Sequence, residues 1–364
     1  MSWIWVFVGF CLLIILHEAG HFFAAKATGM RVERFFLFFG PTIWSFKRGE
    51  TEYGIKSIPL GGYVKITGMN PEEDVPPEVA HRSYYRQDVW KRIVVVAAGP
   101  AVNIVLAFAI LFGVYLIYGH EEAVPRVDEI RSGTPAAKVL QPGDTIVAVD
   151  GKRYPALGEE ERLAKFAAGV ASHKCKGKQT DGCAAATPVE ITVRRDGQLK
   201  TFSVRPRYDE EAKRALIGFS YATRDIEVSP GTAAREAGDA IGEVASGTVH
   251  VFTHLFEKQQ REQVSGVVGI SDVGHQVVEK SLERALLLLA LVSLSLGLVN
   301  LLPILPLDGG HIFWSLVEKV RGRPVSLRVM ERATVVGIAL VLMLFFLGLS
   351  NDIGRITGEG FEVR

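Results

Sequence analysis

Three residues near the N-terminus carry side chains that could do chemistry together: His17, Glu18 and His21, in the run His17-Glu-Ala-Gly-His21. On a helix the two imidazoles sit one turn apart on a shared face with the carboxylate beside them, the spacing that holds a zinc ion and a general base. Two histidines leave a zinc site incomplete, so the pattern asks for a third ligand elsewhere in the chain. The five-residue pattern is loose on its own, and three plainer readings compete with it. It could be a chance match in a soluble helix, the end of a signal-peptide core followed by Ala25-Lys26-Ala27, or a pair of histidines satisfied as polar groups between helices. The signal-peptide reading is weakened because no Lys or Arg precedes the core and three ionisable groups interrupt its end.

The elements that must position these residues are membrane helices. Residues 3 to 25 are apolar apart from this run and long enough to cross a bilayer, where ionisable side chains are costly and functional by default. Three further stretches qualify: Ile93 to Tyr118, with Asn103 as its only strongly polar side chain; Ala285 to Leu307, without a charge; and the shorter Ala333 to Leu349. A 364-residue chain with 48% hydrophobic residues and a mean hydropathy of +0.21 fits a membrane protein with a soluble insert. The net charge of +1, without any Lys/Arg-rich run, excludes nucleic acid as a partner.

Basic residues set the orientation. Lys26, Arg31 and Arg34 follow the first span, Lys91 and Arg92 precede the second, and Lys319, Arg321, Arg323 and Arg328 lie between the third and fourth. These loops are expected on the cytoplasmic side, with the segment from 119 to 284 opposite. The first and third spans then run inward together, bringing His17 and His21 to the same leaflet as Asp308. Asp308 sits in Asn300-Leu-Leu-Pro303-Ile-Leu-Pro306-Leu-Asp308-Gly309-Gly310, where two prolines break helical bonding, as is tolerated where a segment lines a cavity. Alone, Asp308 reads as a boundary charge; paired with the histidines it completes a site with an open fourth position. Glu18 would then take the proton from water attacking a peptide carbonyl. His311, beyond the glycine pair, is a rival ligand ranked below Asp308.

Together, His17-Glu18-Ala-Gly-His21, Gly99-Pro100-Ala-Val-Asn103, Asn300 through Asp308-Gly309 and the soluble insert resemble the bacterial site-2 proteases, intramembrane zinc metalloproteases with a PDZ domain. The resemblance covers most of the chain. It implies His17, His21 and Asp308 as ligands of one zinc ion, Glu18 as catalytic base, and a multi-pass home in the bacterial plasma membrane. The implied substrates are single-span membrane proteins, of the anti-sigma-factor type, trimmed first by another protease. It also implies a substrate or oxyanion contact for Asn300, beside which a plain helix contact stands equally. Asn103 reads first as structural, and Gly99-Pro100 as a close helix approach or a kink. Ser265-Gly266-Val267-Val-Gly269-Ile270 departs at Val267 from the family's usual Gly-Pro-Val-Gly.

The remaining segments frame this core. Glu52 to Ile58 and Tyr63 to Thr67 read as a hairpin about Pro59-Leu-Gly61-Gly62, whose Gly61 and Gly62 are candidate substrate contacts near the zinc. An extended substrate could add to its open edge; a plain cap on the helices is the alternative. Phe35 to Phe39 is expected at the membrane interface. Strand and turn signals around Asp150-Gly151 and Asp196-Gly197 suggest one extracytoplasmic PDZ-like domain, either a sensor of trimmed substrate or a steric guard. Cys175 and Cys183 bracket a polar loop in it, and a local disulfide and two free thiols both fit. A helical stripe from Gly231 to Gln260 is expected on the outer membrane surface or against that domain.

The expected fold is therefore an α-helical polytopic membrane protein of about four transmembrane helices, with a cytoplasmic-side membrane-associated β-hairpin region and one extracytoplasmic PDZ-like α+β domain. Its divisions are 1–118, 119–207, 208–284 and 285–364. Two other functions are weighed against the protease: an inactive membrane-anchored PDZ adaptor and a zinc-handling transporter. The intact His17, Glu18, His21 and Asp308 speak against the first, and the lack of repeat symmetry against the second.

Overall fold

The computed structural model describes residues 2–70, 73–210, 212–254, 257 and 281–357. The chain falls into two compact units, one made of Met1–Ile117 with Ser229–Arg364 and the other of Tyr118–Val228.

The first unit opens with α1, Ser2–Ala27, and returns with the 30-residue α2, Val89–Tyr118. At 1.5 Å per residue α2 is about 45 Å long, more than the roughly 30 Å of a hydrocarbon core. Between them lie β1, Val32–Arg48, and β2, Thr51–Ile66. They do not form the expected hairpin. Glu52–Ile55 and Gly62–Ile66 are separated by the start of β1, which pairs with both: Arg34 opposes Glu52 and Lys65, and Leu37 opposes Ile55 and Gly62. The later part of β1 folds back onto the start of β2, with Phe46 opposite Tyr53. The aromatic run accounts for the difference. Phe35 to Phe39 is strongly strand-prone, and the left-handed turn at Gly40 (φ +87°) before Pro41 doubles the strand back. Phe36 is therefore buried and Phe35 packs on Phe22 of α1 at 5.3 Å between ring centroids, while Phe39 stays exposed. The core here joins Phe22, Ala25, Met30, Val32, Ile66, Tyr84, Val95 and Val96. It fixes the sheet to the ends of α1 and α2.

The second unit has β3 (His120–Ile130), β4 (Thr145–Val149), α3 (Glu159–Ala171), β5 (Val189–Arg195), β6 (Gln198–Val204), β7 (Arg207–Asp209), β8 (Arg214–Leu216) and β9 (Phe219–Ile226). Its five-stranded sheet runs β6-β5-β4-β3-β9, and β7 pairs with β8. Asp150 and Asp196 adopt φ of +50° and +52° before glycines at +70° and +79°, as tight turns require, the first closing Val149 onto Lys152 and the second joining β5 to β6. Leu163, Phe166 and Val170 of α3 pack into a core with Val127, Ile146, Val189, Ile191 and Val193. Asp144, almost fully buried, takes two bonds from Arg195 at 2.6 and 2.7 Å and one from the Gln141 N–H at 2.8 Å. Burial alone would raise its carboxyl, but these donors outweigh it and hold it below the usual aspartate value. Cys175 and Cys183 are joined through their sulfurs, Cα atoms 6.2 Å apart. The unit continues to Val228 rather than 207 because β9 returns from far along the chain to pair with β3.

The chain re-enters the first unit through α4, Pro230–Thr253, capped by the Ser229 hydroxyl on Thr232 N–H. Ala233 and Ala237 are fully buried, and Ala237 packs with Leu111 of α2 and Ala290. Small residues permit this close approach, so this part of α4 packs against α2. Most of the expected stripe lies on α4; its end at 258–260 and the Val267 segment lie outside the described residues. α5, Leu282–Asn300, supplies Ala290 and stops seven residues short of the expected Leu307. Pro303 and Pro306 cannot donate helical bonds, so the chain breaks before α6, Asp308–Arg321. Gly310 is needed because a Cβ would lie 2.5 Å from Leu305 N, and one on Gly309 would strike the Leu301 carbonyl. α7, Leu327–Thr357, completes the unit and outruns the expected 333–349. Among the described residues, four helices are long and apolar enough to cross a membrane: Ile4–Ala27, Val89–Tyr118, Leu282–Asn300 and Leu327–Gly354. Their outward apolar side chains, such as Trp5, Ile117 and Phe346, are exposed as lipid contact requires.

Candidate metal centre

The centre begins where α1 crosses α2. Gly20, inside the His17-to-His21 turn, comes so near α2 that a Cβ would lie 2.5 Å from the Ala98 carbonyl oxygen. Gly99 answers from α2: a Cβ there would lie 2.9 Å from His17 Nε2 and 2.5 Å from His21 Cε1. The two imidazoles thus rest on a bare patch of α2 backbone, edge to face with ring centroids 4.8 Å apart. The His21 Nδ1–H donates to the Val95 carbonyl at 2.9 Å, leaving Nε2 as the lone-pair nitrogen.

The break after α5 delivers the third group. Asp308 opens α6 with its Oδ2 3.2 Å from His17 Nε2 and 3.3 Å from His21 Nε2, and the two Nε2 atoms are 3.2 Å apart. Two atoms bound to one tetrahedral zinc at about 2.0–2.1 Å lie roughly 3.3 Å from each other. The three side chains therefore have the mutual spacing of donors that would hold one such ion together. Among the described residues these three side chains, with ligand atoms within 4.8 Å of one another, form the cluster that could hold a metal ion, and His311 is not in it. His311 lines a separate cavity of about 220 Å³ with Tyr84, Arg92, Trp314 and Glu318.

The triangle opens into a cavity of about 470 Å³ that also holds Glu18, Gly61, Gly62, Tyr63, Val64 and Asn300, with Phe10, Ile14 and Leu296 on its apolar walls. Glu18 and Val64 line it side by side. A Cβ on Gly62 would lie 2.9 Å from Glu18 Cγ, so only glycine leaves the carboxylate its position. Asn300, the last residue of α5, lines the same space. His17, Glu18, His21, Gly61, Gly62, Asn300 and Asp308 thus line one cavity, whereas His311, Gly99 and Asn103 are not among its lining. Cys175 and Cys183 belong to the second unit. The close approach read at Gly99 is present, with α1 as its partner, while sequence reasoning misses Gly20 on the other side of the crossing and the Val95 carbonyl.

Residues 5–344 match the model of peptidase family M50. The chain belongs to that family, the site-2 proteases. The zinc metalloprotease Rip1 of Mycobacterium tuberculosis is 30% identical over 93% of this chain and 94% of its own, and a relative from Agrobacterium fabrum is 32% identical over 95% and 94%. The PDZ domain of an SdrC-like protein from Listeria monocytogenes shares 18% identity over 28% of this chain and 90% of its own, with a TM-score of 0.21. As an M50 member, the chain is a zinc metalloprotease and a multi-pass membrane protein.

Proposed function

We propose that this M50 protease cuts peptide bonds within the membrane-spanning segments of single-span proteins, using one zinc ion held by His17, His21 and Asp308. The observation that carries the reading is the triangle of ligand atoms, each edge 3.2 or 3.3 Å, opening into a cavity that already contains Glu18. Zinc, when bound there, supplies Lewis acidity toward a carbonyl oxygen and toward water. Glu18 receives the proton from the attacking water and passes it to the leaving amine. Asn300 at the cavity wall holds the substrate backbone or its developing oxyanion.

A helical substrate hides its peptide bonds, so it must be drawn out as a strand. Gly62–Ile66 pairs along one side with Val32–Leu37, and Gly61 to Val64 line the cavity. An extended substrate adding to this edge would carry its peptide bond past Glu18. Charge asymmetry supports a cytoplasmic side for this edge and for the metal centre, in a bacterial plasma membrane. The second unit, facing the oxidising side with Cys175 joined to Cys183, acts as a PDZ-like guard that admits substrates already trimmed by another protease, of the anti-sigma-factor type.

The test is Asp308→Ala in purified protein, with zinc content and cleavage of a membrane-embedded model substrate measured together. Both should be lost. Zinc retained at the parent level would overturn the ligand set. In cells, Glu18→Gln should cause trimmed single-span proteins to accumulate; an unchanged membrane proteome would contradict the substrate class.

A further inference from the structure

We infer that Asn103 is a positioning residue for the metal centre: its side-chain oxygen accepts the Nδ1–H of His17 and so fixes the tautomer that presents Nε2 to the metal. This rests on His17 being a zinc ligand, as proposed above.

Asn103 is fully buried, and its amide stands 3.4 Å from His17 Nδ1. Placed nitrogen-first, that amide would give His17 Nδ1 a donor, and Oδ1 meets no donor among the described residues. A neutral imidazole carries one N–H. If Nδ1 accepts, Nε2 must hold the hydrogen and cannot ligate. Turning the amide end for end places Oδ1 against Nδ1, where it accepts a bond; oxygen and nitrogen of an amide are assigned from such networks. Nε2, 3.2 Å from both Asp308 Oδ2 and His21 Nε2, is then the lone-pair nitrogen.

The same helix already does this for the other histidine, through an acceptor whose identity is fixed. The Val95 carbonyl receives His21 Nδ1–H at 2.9 Å. Val95, Gly99 and Asn103 follow one another at intervals of four along α2: an acceptor, a gap for both rings, an acceptor. Asn103 is itself anchored, because its backbone carbonyl receives the Ser293 hydroxyl of α5 at 2.9 Å. α2 therefore orients both ligands without touching the metal, as outer acceptors do for metal-bound imidazoles.

The experiment compares zinc affinity, by competition with a chelator, in parent, Asn103→Ala, Asn103→Asp and His17→Ala proteins, each checked for folding by thermal unfolding. Asn103→Ala should bind zinc about 10- to 100-fold more weakly. Asn103→Asp, which keeps an acceptor but loses the donor, should hold zinc at the parent's affinity or tighter. If Asn103→Ala keeps the parent affinity while His17→Ala loses zinc, the positioning role is overturned and the metal reading stands. If His17→Ala also keeps it, both fall. Should Asn103→Ala fail to fold, Asn103→Asp decides: weakening of zinc binding there overturns the acceptor assignment.

Discussion

Replacing Gly99 by alanine should disable the metal centre from a residue that binds nothing. The new methyl would lie 2.9 Å from His17 Nε2 and 2.5 Å from His21 Cε1. Non-bonded heavy atoms settle at about 3.5 Å or more, so the rings would have to retreat by roughly 0.6 and 1 Å. Zinc sites tolerate only about 0.2 Å in their bond lengths, and the ligand triangle would open beyond that. Zinc affinity should fall at least tenfold, about 1.4 kcal/mol, and cleavage by about 10²-fold, as expected of a misplacement near 1 Å. Overpacking the crossing should cost a further ~1–3 kcal/mol of stability. The assay measures zinc retention against a graded series of chelators, cleavage of a membrane-embedded substrate, and thermal unfolding on the same preparation. A Gly99→Ala protein that binds zinc and cuts like the parent would refute the packing argument.

Two other perturbations separate the parts. Gly62→Ala brings a methyl to 2.9 Å from Glu18 Cγ and 3.3 Å from the Phe36 carbonyl, leaving the ligand triangle alone, so cleavage should fall tenfold or more with zinc retained; equal loss of zinc would contradict it. In the second unit, Asp144 is held below the ordinary aspartate value of about 3.9, so its pairing with Arg195 stabilises above that pH and is lost as pH falls through the lower folded value. Asp144→Ala should therefore cost about 3–5 kcal/mol near neutrality, and the gap from the parent should narrow in acid; a gap constant with pH would sink that reasoning.

What could be read from the sequence follows from locality. His17, Glu18 and His21 share one helical turn, and charged groups inside an apolar span announce themselves, so the reactive half of the centre is legible at once. Asp308 and Asn300 are distant in sequence but marked by prolines that interrupt an apolar stretch. The middle strand, Val32–Leu37, was hidden because its pairing with both parts of β2 is a tertiary choice, and an aromatic run suits a membrane interface as well as a buried strand. For the same reason β9 fell outside the expected domain: its partner β3 lies nearly a hundred residues earlier. The small residues Gly20 and Ala237 carry no chemistry of their own, and only the helix that packs against each reveals why they are small.

The central claim is that Glu18 does the proton transfer at a metal held by other side chains. Purified Glu18→Gln, loaded with zinc, tests it most directly. The variant should retain zinc at the parent's level while cutting a membrane-embedded substrate about 10²- to 10⁴-fold more slowly. Cleavage at the parent rate by that zinc-loaded variant would contradict the account.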